Sequence, residues 1–211
     1  MKKILIFTTA YLPFIGGAEL AIKEITDRLS PRQFSFDLIT LNLDGKQKPE
    51  EQVGSVHVIR LSCSKFLFPI RAFMRARKLH RESPYDRVWS VMASYGGFAG
   101  LFFKYHFPHI PFILTLQEGD SLSHIYKRAF FVWPLFKMIF TRADQITAIS
   151  NYLAKWARRM GAKCPVEVIP NGVDVERFKI KDLRFKNGGL RKQLGFDADD
   201  KIVITTSRLV E

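Results

Sequence analysis

The amino-acid sequence predicts an α/β fold in which a parallel sheet is covered by helices on both faces. Short apolar runs alternate with helical patterns along the chain, as in parallel sheets, because each parallel connection needs a crossover. The runs are also almost continuously hydrophobic, which is typical of strands buried on both faces. A hydrophobic content of 47% in 211 residues supplies a sizeable core and excludes intrinsic disorder.

Seven strands are predicted between residues 3 and 169, each as a short apolar run. They cover residues 3–9, 36–41, 56–61, 87–91, 112–116, 145–149 and 166–169. In the third of these, Val56 and Val58 alternate with His57, as in a strand with one buried face. Residues 44–52 are polar and predict a loop.

Helices are predicted between these strands. They cover residues 18–30, 69–82, 97–106, 124–142 and 151–160. The first has an apolar face with helical spacing, made of Ala18, Ala21, Ile22, Ile25 and Leu29. Ser30-Pro31 ends it, because the residue before a proline avoids the helical region. The last is predicted to begin at Ser150 as N-cap and to end at Gly161.

The end of the chain differs in composition. Residues 171–200 are rich in Asn, Gly and Asp, as linkers are, and the apolar run 202–206 predicts a further strand that no helix follows. We therefore expect a domain over residues 1–170, an interdomain linker over 171–200, and the first strand of a truncated second domain over 201–211.

The charge balance points to a polyanionic partner. Lys and Arg number 33 against 20 Asp and Glu, a net charge of +13, which suits nucleic acid, an anionic membrane or a phosphorylated ligand. The longest uncharged stretch, residues 88–103, contains Ser and Gly and is shorter than the roughly 20 apolar residues of a spanning helix. The N-terminus lacks a cleavage pattern, and Cys63 and Cys164 are lone thiols, so we expect a cytoplasmic protein without a metal site.

Gly16-Gly17 lies between the first predicted strand and helix. A glycine pair lets the backbone approach a ligand, and the N-terminus of a helix offers free N–H groups to an anion. The segment has neither the G-x-G-x-x-G spacing nor the lysine of a P-loop, so a plain turn is the alternative interpretation.

Gln117, Glu118 and Asp120 follow the fifth predicted strand. They place an amide and two carboxyl groups at the carboxyl edge of the sheet, where ligands of open α/β folds bind. Catalysis or hydrogen bonding to sugar hydroxyls is one interpretation. The alternative is a solvated loop in which Asp120 or Ser121 caps the next helix.

Basic residues are interleaved with apolar ones in residues 65–81. The basic set is Lys65, Arg71, Arg75, Arg77, Lys78 and Arg81. This pattern suits the surface of an anionic membrane, although an ordinary amphipathic helix has it too. A second aromatic stretch, residues 126–140, contains Phe130, Phe131 and Pro134, and we expect its apolar side chains in the core.

Together these features resemble the N-terminal half of a family 4 retaining glycosyltransferase with two Rossmann-like domains, the GT-B architecture. The motifs that carry the resemblance are Gly16-Gly17-Ala18-Glu19, Ala148-Ile149-Ser150, Ile169-Pro170-Asn171-Gly172-Val173-Asp174 with Phe178, and Ser207-Arg208-Leu209-Val210-Glu211. Their order and spacing span nearly the whole chain.

The resemblance implies transfer of a sugar from a nucleotide-sugar donor, with retained anomeric configuration and without a metal or other cofactor. By analogy, Gly16 and Gly17 lie near the donor diphosphate and the acceptor, and Arg208 neutralises the departing diphosphate. Relatives often place a histidine where Gln117 stands, and glutamine cannot titrate. Asp197-Ala198-Asp199 has the D-x-D spacing of metal-dependent glycosyltransferases, but it precedes a predicted strand, which favours a solvated turn.

We therefore expect the acceptor-side part of a glycosyltransferase that acts at the inner membrane face on a glycolipid or polysaccharide, with no nucleic-acid partner. The 211 residues alone are expected to fold but not to turn over, since the family's paired glutamates would lie beyond residue 211. Two alternatives stay open: a basic module that binds RNA or anionic lipid, supported by charge alone, and a nicotinamide-dependent Rossmann enzyme, disfavoured by the glycine spacing.

Overall fold

The computed structural model describes residues 1–178, 189–197 and 199–203 of the chain. The chain divides into two compact units, Met1–Asn171 and Gly172–Glu211. The first unit contains the sheet and most of the helices. The run predicted as a strand over residues 202–206 lies outside the described residues except for Ile202 and Val203, which are in no regular structure.

The first unit is built on an 8-stranded sheet with the strand order β3-β4-β2-β1-β5-β6-β7-β8. Its strands are β1 Lys2–Phe7, β2 Phe34–Leu41, β3 Glu50–Val53, β4 Val56–Leu61, β5 Arg87–Val91, β6 Phe112–Leu116, β7 Gln145–Ala148 and β8 Val166–Val168. Every pairing is parallel except that of β3 with β4. The predicted Rossmann-like α/β fold is confirmed.

Helices connect the parallel strands. They are α1 Gly17–Arg28, α2 Phe68–Glu82, α3 Tyr95–His106, α4 Leu122–Ala129, α5 Trp133–Thr141 and α6 Asn151–Arg159, and the second unit contains the short α7 Gly189–Gln193. The predicted ends of α6 are confirmed: the hydroxyl of Ser150 accepts the N–H of Leu153 at 3.3 Å, and Gly161 has a left-handed φ of 89°.

The strand order reverses beside β1. The chain runs from β1 to β2 and β4 on one side, and α2 then carries it across to β5 on the other side. β1 therefore pairs with both β2 and β5, with Ile4 opposite Phe36 and Arg87. The carboxyl ends of β1 and β5 form the switch point where open α/β sheets bind ligands.

Two apolar clusters cover the two faces of the sheet, because successive side chains of a strand point to opposite faces. Ile6 and Leu38 face α1 through Ile22, all fully buried. Leu5 and Phe7 belong to the larger cluster, which includes α2, α3, α5 and α6.

Three local predictions were wrong. The predicted loop 44–52 includes β3, an edge strand held by pairing with β4 rather than by any apolar pattern of its own. The predicted helix 124–142 is α4, a 3-10 turn over Phe130–Val132 and α5, since Pro134 has no N–H to continue one helix. In α1, Ile25 is 45% exposed, and the buried position next to it is Thr26, whose hydroxyl donates to the carbonyl of Ile22.

Candidate functional site

The loops after β1, β5 and β6 meet at the carboxyl edge of the sheet. The hydroxyl groups of Thr9, after β1, and Ser94, after β5, lie 3.4 Å apart across the switch point. Glu118, after β6, reaches the same turn after β5. Residues from three separate stretches of sequence therefore converge where the topology predicts a ligand crevice.

Gly16 and Gly17 begin α1 at this edge, as predicted. Gly16 is the N-cap residue, and no side chain caps the helix. A Cβ on Gly16 would collide with the carboxylate of Glu19, whereas a Cβ on Gly17 would have no atom within 4 Å. Gly17 is exposed, so its backbone is open to an approaching molecule.

Arg60 anchors the loop that leads to this glycine pair. It lies one residue before the end of β4, and its side chain is only 2% exposed. Its guanidinium donates to the carbonyl of Leu12 at 2.6 Å and forms an ion pair with Glu51 of β3 at 2.7 Å. Sequence reasoning missed Arg60, although a charged residue within an apolar strand run was the available signal.

The turn between β5 and α3 is strained and tightly packed. Met92 has a left-handed φ of 70°, which non-glycine residues seldom adopt. A Cβ on Gly96 would lie 3.0 Å from the carbonyl oxygen of Phe7, and one on Gly97 would lie 3.1 Å from that of Met92. Only glycine fits at these two positions without a shift, so the N-terminus of α3 sits close against the end of β1.

Glu118 holds this turn through its carboxyl group. One oxygen accepts the N–H of Ala93 at 2.5 Å. The other, Oε2, is buried and has no hydrogen-bond partner among the described residues, although Glu118 as a whole is only half-buried. Burial raises the pKa of Glu118 to about 7, against the hydrogen bond from Ala93, which lowers it. Near neutral pH this carboxyl group can therefore both give and take a proton.

Gln117 and Asp120 have different surroundings. Gln117 is buried, and its side-chain oxygen accepts the amide N–H of Asn171 at 3.2 Å, so the Asn-Gly-Val-Asp motif begins at this edge. Asp120 is exposed. Ser121, one of the two predicted caps, is the N-cap of α4 and accepts the N–H of His124 at 3.4 Å.

The basic residues predicted to face a membrane differ in their exposure and in their partners. Arg71, Lys78 and Arg81 are exposed on α2, while Arg77 is half-buried and Arg75 pairs with Glu50 of β3. Arg208 lies outside the described residues. Among the residues that the structure describes, no group of three His, Cys, Asp or Glu side chains is placed to hold a metal ion.

The profile of Glycosyltransferase Family 4 matches residues 15–177, most of the first unit. The chain belongs to Glycosyltransferase Family 4. Its resemblance to that family, drawn from the glycine pair and the Asn-Gly-Val-Asp segment, is confirmed. The chain is also 28% identical over 169 residues to an uncharacterized glycosyltransferase of Methanocaldococcus jannaschii, covering 79% of this chain and 46% of that relative.

Solved structures share the fold of this family 4 chain. Sucrose-phosphate synthase from Thermosynechococcus elongatus aligns with a TM-score of 0.70 at 18% identity, over 94% of this chain and 54% of that protein. Anabaena HepE, solved in complex with UDP-glucose, aligns with a TM-score of 0.65 at 19% identity, over 92% of this chain and 50% of HepE. The fold is thus that of the N-terminal part of GT-B glycosyltransferases, and the chain spans about half the length of these proteins.

Proposed function

We propose that this chain forms the acceptor-side half of a retaining glycosyltransferase that uses a nucleotide-sugar donor. Membership of Glycosyltransferase Family 4 carries this proposal. The convergence of the β1, β5 and β6 loops at the switch point supports it, because it provides a crevice with open backbone at Gly17 and a titratable carboxyl group at Glu118.

In this proposal the donor diphosphate approaches Gly16 and Gly17, where the N-terminus of α1 favours negative charge. Arg208 would neutralise the departing diphosphate from the second unit. HepE was solved with UDP-glucose, which supports a nucleotide-sugar as the donor class. No metal or other cofactor has a role in the proposed reaction.

The acceptor lies against the loop after β6. Glu118 is the proposed proton-handling group, since its pKa of about 7 suits exchange of a proton with a hydroxyl near neutral pH. Gln117 orients a sugar hydroxyl with its free amide N–H, while Asn171 holds its oxygen. Asp120, exposed at the loop tip, accepts a hydrogen bond from the incoming acceptor.

The exposed face of α2 supports an acceptor at a membrane surface. Its inward side chains include Phe68, Ala72 and Ala76, so the large apolar Ile70 and Met74 are left 52% and 56% exposed. Arg71, Lys78 and Arg81 share that face. This combination suits the surface of an anionic bilayer. In the described residues no helix has both the length and the apolar character needed to cross a membrane.

Calorimetric titration with UDP, GDP and their sugars tests the donor class. We expect the full-length protein to bind one nucleotide sugar, and the 211 residues alone to bind it weakly and without turnover, because a clamp such as Arg208 works only when held in place. Binding of RNA with a steep salt dependence, and of no nucleotide sugar, would instead identify a basic binding module.

A further inference from the structure

Two aromatic side chains project into solvent where α4 meets α5. Phe130 is 71% exposed and Phe131 is 93% exposed, and their rings contact each other with centroids 5.5 Å apart. The sequence predicted both in the core, and that prediction was wrong. The 3-10 turn breaks the helical periodicity, so Phe136 is buried while this pair points outward. Burying two phenylalanines from water is worth several kcal/mol, so the pair is suited to an apolar partner.

The surroundings of the pair are cationic. Lys127, Arg128 and Lys137 are exposed on the flanking helices. No Asp or Glu occurs between Ser121 and Arg142. A second copy of the chain would bring two such basic rims together, at a cost in repulsion. An anionic lipid surface would attract the basic residues with its headgroups and could bury Phe130 and Phe131 in its interfacial region.

The pair lies a short distance from the candidate site. α4 starts at Leu122, directly after the loop of Glu118 and Asp120, and its eight residues span about 12 Å. A partner that binds Phe130 and Phe131 would therefore keep the loop after β6 close to the surface of that partner.

The segment that carries the aromatic pair and the helix α2 begin at the same edge of the sheet. α2, α3 and the α4–α5 segment each follow a parallel strand, so each begins near the carboxyl edge of the sheet. The exposed Phe66, just before α2, contacts Tyr95 at the start of α3 with ring centroids 5.9 Å apart. Phe98, one turn further along α3, contacts Phe136 of α5 at 6.2 Å. Aromatic contacts thus join α3 both to the segment before α2 and to α5.

We propose that Phe130 and Phe131 insert into the interfacial region of an anionic bilayer and hold the loop after β6 at the membrane surface. This inference deepens the proposed function by adding to α2 a second, aromatic contact with the bilayer. It rests on that function for the claim that a lipid-linked acceptor is used, but not for the binding itself.

Trp133 makes the insertion measurable. The protein has 3 tryptophans; Trp89 and Trp156 are 9% and 0% exposed, while Trp133 is half-buried and two residues from Phe131. The full chain is mixed with vesicles of equimolar phosphatidylcholine and phosphatidylglycerol, with and without bromine on the acyl chains. Bromine quenches a tryptophan that reaches the acyl region, so sedimentation reports binding and quenching reports insertion.

The test variant is Phe130→Ser with Phe131→Ser, and the control is Tyr152→Ser, which removes a 57%-exposed aromatic from α6. We expect the double variant to lose at least about tenfold in vesicle partitioning and to lose the quenching, while the control matches the wild type. Circular dichroism melting confirms that both variants are folded.

Several outcomes would overturn the inference. They are no vesicle binding by the wild type, no quenching on binding, and an equal loss of vesicle binding in the Tyr152→Ser control. A wild-type dimer that becomes monomeric only in the double variant would also overturn it. Donor titration of the same variants, made in the full-length protein, separates this result from the proposed function. A double variant that no longer binds vesicles but still binds the nucleotide sugar supports the inference. If the wild type binds vesicles but no nucleotide sugar, the membrane-binding surface is supported and the proposed transferase function is refuted.

Discussion

A substitution at Gly17 is expected to weaken ligand binding without affecting folding. Gly17→Val adds a branched side chain into open space, so we expect the free energy of unfolding to change by less than about 0.5 kcal/mol. The same side chain obstructs the approach of a ligand to the start of α1, so donor binding should fall at least about tenfold. Calorimetry and thermal melting of the full-length protein measure the two effects.

Gly100→Ala is the matched control for Gly17→Val. A Cβ at Gly100 would collide with the hydroxyl of Ser90 and lie 2.7 Å from the ring of Phe112, so overpacking should cost about 1–3 kcal/mol of stability. Wild-type binding by Gly17→Val together with a melting temperature lowered by several degrees would show that Gly17 is only structural.

Glu118 makes stability depend on pH. Its pKa rises from 4.5 in the unfolded chain to about 7 in the fold, so between these values the folded state keeps a proton that the unfolded state has lost. Stability is therefore highest below the lower value and falls as pH rises through the upper one, by about 3 kcal/mol in total.

Glu118→Gln keeps an oxygen for the N–H of Ala93 but cannot titrate, so we expect it to flatten this fall. Urea unfolding at about pH 5 and pH 8 measures it. Glu82→Gln, an exposed carboxyl on α2, is the control and should keep the wild-type slope. Equal slopes for Glu118→Gln and the wild type would refute the burial argument.

Among the elements, the loop after β1 depends on β4 through Arg60. Arg60→Gln removes the ion pair with Glu51 and the bond to the carbonyl of Leu12. Charged hydrogen bonds contribute about 1.5–3 kcal/mol each, so opening of residues 8–16 should become at least about tenfold more frequent. Hydrogen exchange measures this, and Arg87→Gln on β5 is the control. Unchanged exchange in residues 8–16 would show that Arg60 does not anchor the loop.

The basic face of α2 predicts binding to anionic vesicles. Reversing the charge of Arg71, Lys78 and Arg81 to Glu should weaken co-sedimentation at least about 100-fold, since each cation near the surface contributes about 1 kcal/mol and each new carboxylate is repelled. Arg75 and Arg77, predicted from sequence for the same surface, should matter less because Arg75 pairs with Glu50 and Arg77 is half-buried.

The control for α2 reverses three exposed cations elsewhere, Lys2, Arg32 and Lys46, with the same change in net charge. These variants should bind the vesicles nearly as the wild type does. An equal loss in the control would assign the binding to overall charge, and equal binding of the wild type to neutral vesicles would contradict the electrostatic argument.

Across the whole molecule, the parallel strands were predictable because each is a short apolar run that must be buried on both faces. β3 was not, because Glu50 and Glu51 form a strand only through pairing with residues of β4. The same limit applied to the site. The glycine pair and the Gln117–Asp120 loop were readable as local patterns, but the contacts of Glu118 with Ala93 and of Arg60 with Leu12 join residues far apart in sequence.

Two buried carboxyl groups of the first unit, those of Asp37 and Glu118, have different hydrogen-bonding surroundings. Asp37 lies within β2, where it accepts the hydroxyl of Tyr85 at 2.6 Å and pairs with Lys3 at 3.0 Å. Burial alone would raise the pKa of Asp37, but these partners together lower it. At the carboxyl edge, the buried Oε2 of Glu118 has no such partner within the part of the chain that the structure describes. A satisfied network stabilises the fold, whereas an unsatisfied titratable group in a crevice is a candidate functional group.

Sugar transfer by the full-length protein tests the central claim most directly. The protein is incubated with labelled nucleotide sugars and with anionic vesicles that carry extracted membrane lipids, and label in the lipid fraction is counted against released nucleoside diphosphate. The account predicts that one nucleotide sugar labels the lipid, with one diphosphate released per sugar, and that Gly17→Val and Glu118→Ala each lower the rate at least about tenfold while remaining folded. Absence of transfer from every nucleotide sugar, or undiminished rates in both variants, would contradict it.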